Sequence, residues 1–398
     1  MNIIWNLKLK KYTLIQKLSL YILSLYVLVA CLANVLANDK PIYCNCNGVM
    51  RWPALREYLE QINILSTTHS FDYANCSHKL NSIIPYSANS LDPTSNGFAP
   101  PFYRSSPDNA YHILGTDALG KDVLAGLIHG TRYAFYIGIL STILAFIPGI
   151  LLGMIMGYFQ NYKIRWNLCQ ILSLVIWIFV GLYEMYITPH IFPDYSFLVQ
   201  LTCIGVWFFL AYFLIKIFSK FGKKYKMPID NILMRCIDVF ESFPKLLLLM
   251  SLIVIYTRPS TLLLIFLIAI LRWPLFAQIA RAETLKECQS NYIISSENLG
   301  VSVYLILTKH IWPNIKGSLW VTALFSFSSA ILLEATLSFI GIGLRLEQVS
   351  WGSLLNEGRQ YLPGWWLSVF PGLAIFTLLL TINWLFEENS LSGNPTNK

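Results

Sequence analysis

Residues 131–158 read TRYAFYIGILSTILAFIPGILLGMIMGY, and no side chain between Arg132 and Lys163 carries a charge. Crossing the hydrocarbon core of a bilayer takes roughly 20 apolar residues as a helix, because every backbone N–H and C=O must be satisfied inside the segment. This stretch therefore reads as a membrane span. Seven more qualify, over 18–37, 168–188, 196–216, 242–257, 261–280, 317–341 and 366–386. The expected fold is an all-α, polytopic membrane protein of about eight transmembrane helices. Composition agrees: the 398 residues are 55% hydrophobic and 13% charged, where soluble domains carry about a quarter charged residues.

The net charge of +8 raises nucleic acid as a partner, but its distribution points to the bilayer. Basic residues concentrate in cytoplasmic loops. Lys8, Lys10, Lys11 and Lys17 precede the first span; Lys163 and Arg165 follow the second. Lys216 to Lys226 hold five lysines, and 281–316 carries Arg281, Lys286, Lys309 and Lys316. The connections 189–195 and 258–260 carry at most Arg258. The alternation predicts both termini inside and no role in nucleic-acid binding. Inside the first span, Val35-Leu36-Ala37 resembles a signal-peptidase site and Leu28-Val29-Ala30-Cys31 a lipoprotein box. The apolar run is long for a signal segment, so an uncleaved helix is expected.

The expected organisation is a cytoplasmic N-terminus with the first helix over 1–37, an extracytoplasmic segment over 38–130, a transmembrane domain over 131–388 and a cytoplasmic tail over 389–398. The outer segment contains Cys44, Cys46 and Cys76, enough for one disulfide in an oxidising compartment with one thiol left over. Cys31, Cys169, Cys203, Cys236 and Cys288 fall in or beside apolar stretches, where a thiol packs as a small hydrophobe. The six histidines are dispersed, which leaves neither a metal set nor the convergent groups of a membrane-embedded transferase. Tyr133, Tyr136, Trp320, Trp365 and Trp366 lie near span ends, as an interfacial aromatic belt requires. Arg272 and Glu334 sit within spans, where a charge costs about 2.5–3.5 kcal/mol on insertion scales. Each is a candidate for lining a pore or for pairing between helices, while Glu184 lies near a span end and reaches the interface.

Ahead of the second span stands His112-Ile113-Leu114-Gly115-Thr116-Asp117-Ala118-Leu119-Gly120-Lys121-Asp122-Val123. Gly115 to Lys121 matches the G-x-x-x-x-G-K pattern of a phosphate-cradling loop. Three features reject that reading: Asp122 replaces the magnesium-binding hydroxyl, no apolar strand precedes Gly115, and the segment lies outside. The alternative is a polar turn, with Gly115 and Gly120 for tight backbone and Asp and Lys for local pairing, ahead of an amphipathic helix over Asp122–Arg132.

These residues carry a family resemblance. The string HILGTDALGKDVLAGLIHGTRYAFYIGIL resembles the H-x-L-G-T-D-x-x-G-[RK]-D-V signature of the dipeptide, oligopeptide and nickel permeases of ABC importers, in their C-type subunit. Asp238-Val239-Phe240-Glu241-Ser242-Phe243-Pro244 resembles the family's D-x-x-x-x-F-P, which leads into a helix. Further matches are Arg272-Trp273-Pro274 with Arg281-Ala282-Glu283, Glu334 to Gly341, and Trp351-Gly352 with Glu357-Gly358-Arg359. The resemblance covers 101–160 and 230–388 but not 161–229, where two apolar stretches joined by Pro189-His190-Ile191-Phe192-Pro193 form an inserted hairpin. A six-helix importer core plus two helices is thereby implied.

The segment from Tyr292 to Pro313 resembles the family's cytoplasmic coupling loop. A short helix there would dock on an ATPase, using Tyr292, Ser295, Ser296, Glu297, Leu299, Gly300 and Pro313. Gly300 would supply the left-handed stop and Pro313 would begin the next helix. The family's glutamate falls at Ile294 and its paired alanines at Ser295 and Ser296, leaving Glu297 as the nearest acid. His112, Gly115, Thr116, Asp117, Gly120, Lys121 and Asp122 would form the outer signature. The resemblance implies no cofactor in this chain, with ATP and magnesium held by partner subunits. The implied partners are a second homologous permease, one or two cytoplasmic ATPases, an extracytoplasmic solute-binding protein and membrane lipid. Short peptides come first as substrates and nickel second; a membrane-embedded transferase and a structural scaffold are the readings outside transport.

Overall fold

The computed structural model describes residues 14–46, 49–53, 56, 77–92, 95, 97–104, 111–160, 165–167, 216, 224–226, 228–255, 260–342 and 348–391. They divide into two compact units, one made of residues 1–150, 243–279 and 313–398 and the other of 151–242 and 280–312.

Helix α1 runs over Leu14–Leu36. Leu14, Leu18, Tyr21, Leu25, Leu28 and Leu32 recur on one exposed face, as a lipid-facing stripe of helical period does. The other face meets the last helix, whose Ala374 carbonyl and Thr377 hydroxyl bond the Tyr26 hydroxyl at 3.1 and 2.6 Å. The chain then forms β1 (Tyr43–Cys46), β2 (Val49–Arg51) and β3 (Ser77–Leu80), an antiparallel sheet in the order β2-β1-β3. β4 (Tyr103–Arg104) and β5 (Tyr111–His112) make a second small ladder. The fold is thus mainly helical, with short strands in the segments between helices. Cys44 is buried on β1; Cys76 and the Cys46 side chain lie outside the described residues.

Helix α2 occupies Val123–Phe159, 37 residues without interruption. The separate amphipathic helix expected over Asp122–Arg132 is its first turns. No breaker lies between Val123 and Pro148, and Gly126 and Gly130 continue the helix because their missing side chains admit Val349 and Leu354, and Trp351. At about 1.5 Å per residue the helix is about 55 Å long, more than the bilayer core needs.

The expected span 242–257 is described only in part, residues 256–259 lying outside the described residues. After β6 (Arg165–Asn167) and β7 (Lys224–Lys226), helix α3 covers Ile229–Glu241 and α4 only Lys245–Ile255. Pro244 lacks the N–H that would join them. Helix α5 spans Thr261–Cys288, α6 Asn291–Asn298 and α7 Val303–Leu305. Helix α8 spans Trp312–Ile340, α9 Trp351–Gln360 and α10 Trp366–Leu391. Among the described residues five helical stretches are long and apolar enough to cross a membrane: Leu14–Leu36, Val123–Phe159, Thr261–Cys288, Val303–Ile340 and Trp366–Leu385. The expected spans 168–188 and 196–216 lie outside the described residues.

In the first unit, Phe135, Phe327, Ile331, Trp351, Ile375 and Leu378 belong to one hydrophobic core. Small residues let the helices close on one another. A Cβ on Gly138 would meet Phe327 at 2.7 Å, one on Gly149 would meet the Trp273 carbonyl at 2.7 Å, and one on Gly352 the Ala335 carbonyl at 2.4 Å. Ser350 caps α9 through a reciprocal pair of bonds with Ser353.

In the second unit β6 pairs antiparallel with β7 in the register Arg165↔Lys226, Trp166↔Tyr225 and Asn167↔Lys224. The flanks of the apolar insert are thereby tied together by backbone hydrogen bonds. The Arg281 guanidinium donates twice to the Asp230 carboxylate, through Nε and, at 2.6 Å, through Nη2. Gly157 packs on the same stretch of α5, its absent Cβ 2.7 Å from Thr284.

Candidate coupling loop and outer turn

The sequence-predicted residues fall into two clusters, one in each unit. In the second unit, α6 ends as the sequence indicates. Val301 N–H donates to Ser296 O at 3.1 Å and Gly300 N–H to Glu297 O at 3.0 Å. With Gly300 at φ +75°, this is a Schellman cap. Ile293 is buried, as are Ile306 and Ile311 beyond the turn, and these side chains anchor the loop. Ser296 Oγ folds back on the Tyr292 carbonyl at 2.8 Å. The Tyr292 hydroxyl donates to Glu287, and Glu297 accepts a hydrogen bond from the Tyr158 hydroxyl. Ser295 and Leu299 face outward, Leu299 with 83% of its surface exposed.

Pro313 stands second in α8, Trp312–Ile340. The helical run starts ten residues earlier at Val303 and passes through a π-helical turn, Ile306–Ile311, into α8. A proline inside a helix has no N–H to give and its ring collides with the carbonyl four residues back. A wide turn just before Pro313 accommodates both effects.

In the first unit, the signature residues build a closed turn. Thr116 N–H donates to the Ala99 carbonyl at 2.9 Å, its hydroxyl accepts from Ala99 N–H at 2.8 Å, and its carbonyl accepts from the Trp366 indole at 3.1 Å. Trp366 is therefore a post inside the protein and not part of an interfacial belt. Asp117 is paired with backbone and not with the Lys121 ammonium: one carboxylate oxygen accepts from Leu119 and Lys121 N–H, both at 2.8 Å. Those are N–H groups a phosphate loop would need. Lys121 Nζ reaches Asn89 at 3.4 Å. Gly115 and Gly120 take φ of +83° and +81°. A Cβ on Gly115 would stand 2.6 Å from the Ala99 carbonyl oxygen. Gly115→Ala is expected to lower the thermal midpoint of the purified protein, with strain of about 1–3 kcal/mol, while a Gly317→Ala control in open space has none of it.

His112 is fully buried between two carboxylates, Nδ1 at 2.9 Å from Asp122 and Nε2 at 3.2 Å from Asp92. Tyr86 stacks on its ring at 4.2 Å. The second oxygen of Asp122 accepts from Ala125 N–H at 2.7 Å, so the residue that closes the turn also caps α2. Asp92 is the member sequence reasoning missed; it stands 20 residues before His112 in a polar segment, and no local pattern marks it.

Burial opposes a charge on His112, but its hydrogen bonds to Asp122 and Asp92, with their negative charge, outweigh it and raise its pKa. Burial, then the nearby Asp117 charge, pushes the Glu357 carboxyl up to about 7. Asp117 is raised by burial as well. A raised pKa on either type means that the folded state binds more protons than the unfolded one, so stability falls as pH rises. The Glu357 share is lost between about 4.5 and 7, and the histidine share above about 6.5. The protein is expected to melt at a lower temperature at pH 8 than at pH 5.5, and Glu357→Gln is expected to shrink that difference.

Of the residues expected within spans, Arg272 Nε donates to Ser326 Oγ at 3.4 Å. Glu334 is 2% exposed, accepts from Ser338 Oγ at 2.8 Å and is hydrogen-bonded by Ser350 at the head of α9.

Residues 217–387 match the family described as binding-protein-dependent transport system inner membrane component. The chain is 28% identical over 275 residues to the di/tripeptide transport system permease protein DppC of Pseudomonas aeruginosa, covering 69% of each chain. It is 26% identical to the glutathione transport system permease protein GsiD of Pectobacterium atrosepticum, again over 69% of each. The dipeptide transport system permease protein DppC of Alkalihalophilus pseudofirmus is 25% identical, with 73% of this chain and 74% of that one aligned.

Proposed function

This chain is a multi-pass inner-membrane permease of the binding-protein-dependent ABC transport family, C-type, and from that premise we propose that it forms one half of a pore through which short peptides are imported. The observation that carries the proposal is the capped helix Asn291–Asn298 in a basic loop. A rigid, solvent-facing helix set between two membrane helices can pass the movement of a partner to them, and an ATP-driven pore without a nucleotide site of its own needs such a part. The peptide substrate rests on relatives whose names specify di- and tripeptides, dipeptides and glutathione.

In this account the six-helix core carries the inserted hairpin 161–229 as two additional helices, and both termini are cytoplasmic. The β6–β7 ladder supports the hairpin reading, because antiparallel pairing of its flanks returns the chain to where it left. The partners are a second homologous permease, one or two ATPases holding ATP and magnesium, and an external solute-binding protein. That protein would deliver peptide to the outer surface formed around the turn 112–122, whose buried bonds make it a fixed platform. Arg272 and Glu334 are proposed as polar positions along the path.

Affinity purification of the chain from its native membrane, followed by mass spectrometry, tests the proposal. Recovery of a second permease and ATPase subunits is the expected result; recovery of the chain alone would overturn it.

A further inference from the structure

We propose that the face which the loop 291–305 offers its ATPase is apolar and has no free carboxylate, so that the matching cleft is apolar with acidic residues at its rim. The inference rests on the transporter reading above and adds the chemistry of the contact. Ile294 is 46% exposed, Leu299 83% and Tyr304 74%. These side chains are not loose: the same segment is anchored by Ile293, Ile306 and Ile311, which are buried, and by the cap at Gly300. A loop placed in the cytoplasm by its lysines that holds large apolar groups in water presents a surface for a partner.

The electrostatics define the kind of partner. Between Gln289 and Thr308 the sequence has one charged residue, Glu297, and the Tyr158 hydroxyl engages it from within the same unit. Glu287, just before the loop, accepts from Tyr292. The Lys286 side chain is 78% exposed and 4.0 Å from Glu283, and Lys309 is exposed on the π-turn beside α6, where His310 lies 6.3 Å from Tyr292. Exposed apolar groups, interspersed with uncharged polar ones and with cations in the flanking residues, call for a largely apolar cleft with carboxylates around it. A cleft built to pair a basic residue with an acid on this helix would leave that residue unpartnered against Ile294, so the loop also discriminates among ATPases.

The test is to purify the detergent-solubilised complex through this chain at about 0.15 M and about 1 M NaCl, where the Debye length falls from about 8 to about 3 Å, and to repeat it with Leu299→Asp. Leu299 is so exposed that the substitution does not touch the protein's own core. ATPase recovery is expected to agree within about twofold between the two salts and to fall more than about tenfold in Leu299→Asp, as for a hot-spot anchor. Loss of the ATPase at high salt, or full recovery with Leu299→Asp, would overturn the apolar contact while leaving the transporter reading intact. Absence of an ATPase from the wild-type preparation at both salts would overturn the transporter reading and the proposal with it.

Discussion

Gly300→Pro is expected to leave the chain inserted and as abundant as the wild type, while ATP hydrolysis stimulated by substrate and binding protein falls at least about tenfold. Gly300 holds φ at +75° with no neighbour within 4 Å of a Cβ, so nothing in the core resists a side chain there. Proline fixes φ near −65° and removes the N–H. Its substitution would break the bond to the Glu297 carbonyl and turn the chain away from the left-handed region that the cap requires. Strain of about 1–3 kcal/mol would then be relieved by unwinding the end of α6 and its cap residue Leu299, which offer Ile294 and Leu299 to the partner. Gly300→Ala keeps the N–H and meets only the left-handed penalty, so its hydrolysis is expected to fall between wild type and proline. The rates are compared in the assembled complex, with surface expression measured in parallel.

Arg281→Met is the second large effect, and here folding is expected to suffer before coupling does. Asp230 is buried and receives both donors of the guanidinium. Removing the cation leaves a carboxylate stranded in an apolar surrounding, a loss of about 3–5 kcal/mol. The variant should accumulate to a lower level and melt earlier in detergent. Adding Asp230→Leu should recover most of the loss, because an apolar pair of similar volume avoids the desolvation of both ions. If the double variant melts no higher than Arg281→Met alone, the bridge is not the cause.

How far the sequence could be read follows from which forces are local. The bilayer's demand that each crossing satisfy its own hydrogen bonds makes Leu14–Leu36, Thr261–Cys288 and Trp366–Leu385 legible from composition. The left-handed stop at Gly300 is equally readable, and so are Gly115 and Gly120 as tight backbone, since glycine takes such conformations without strain. The extent of α2 was not. Its polar first turns look amphipathic, yet they continue into the span because Trp351 from a distant helix fills the space beside Gly130 and donates to the Leu127 carbonyl at 3.1 Å.

Long-range pairing set the other differences. Tyr158 engages Glu297 across more than a hundred residues, and the indole of Trp366 meets the carbonyl of Thr116 across 250. Neither follows from spacing. Pro313 lies in the first turn of α8, but a proline that opens a helix and one that follows a π-turn share one sequence signal, and only the backbone before it separates them. In the outer cluster, the pattern named His112 and Asp122 but not Asp92, whose place depends on how the polar segment folds back.

The most direct measurement is peptide uptake into liposomes that contain this chain with its partner permease and ATPases, with binding protein outside and ATP inside. The account predicts that a radiolabelled di- or tripeptide accumulates only with ATP and binding protein present, and that Gly300→Pro abolishes it. Uptake that is indifferent to ATP, or no uptake from an intact complex that hydrolyses ATP in response to the binding protein, would contradict it.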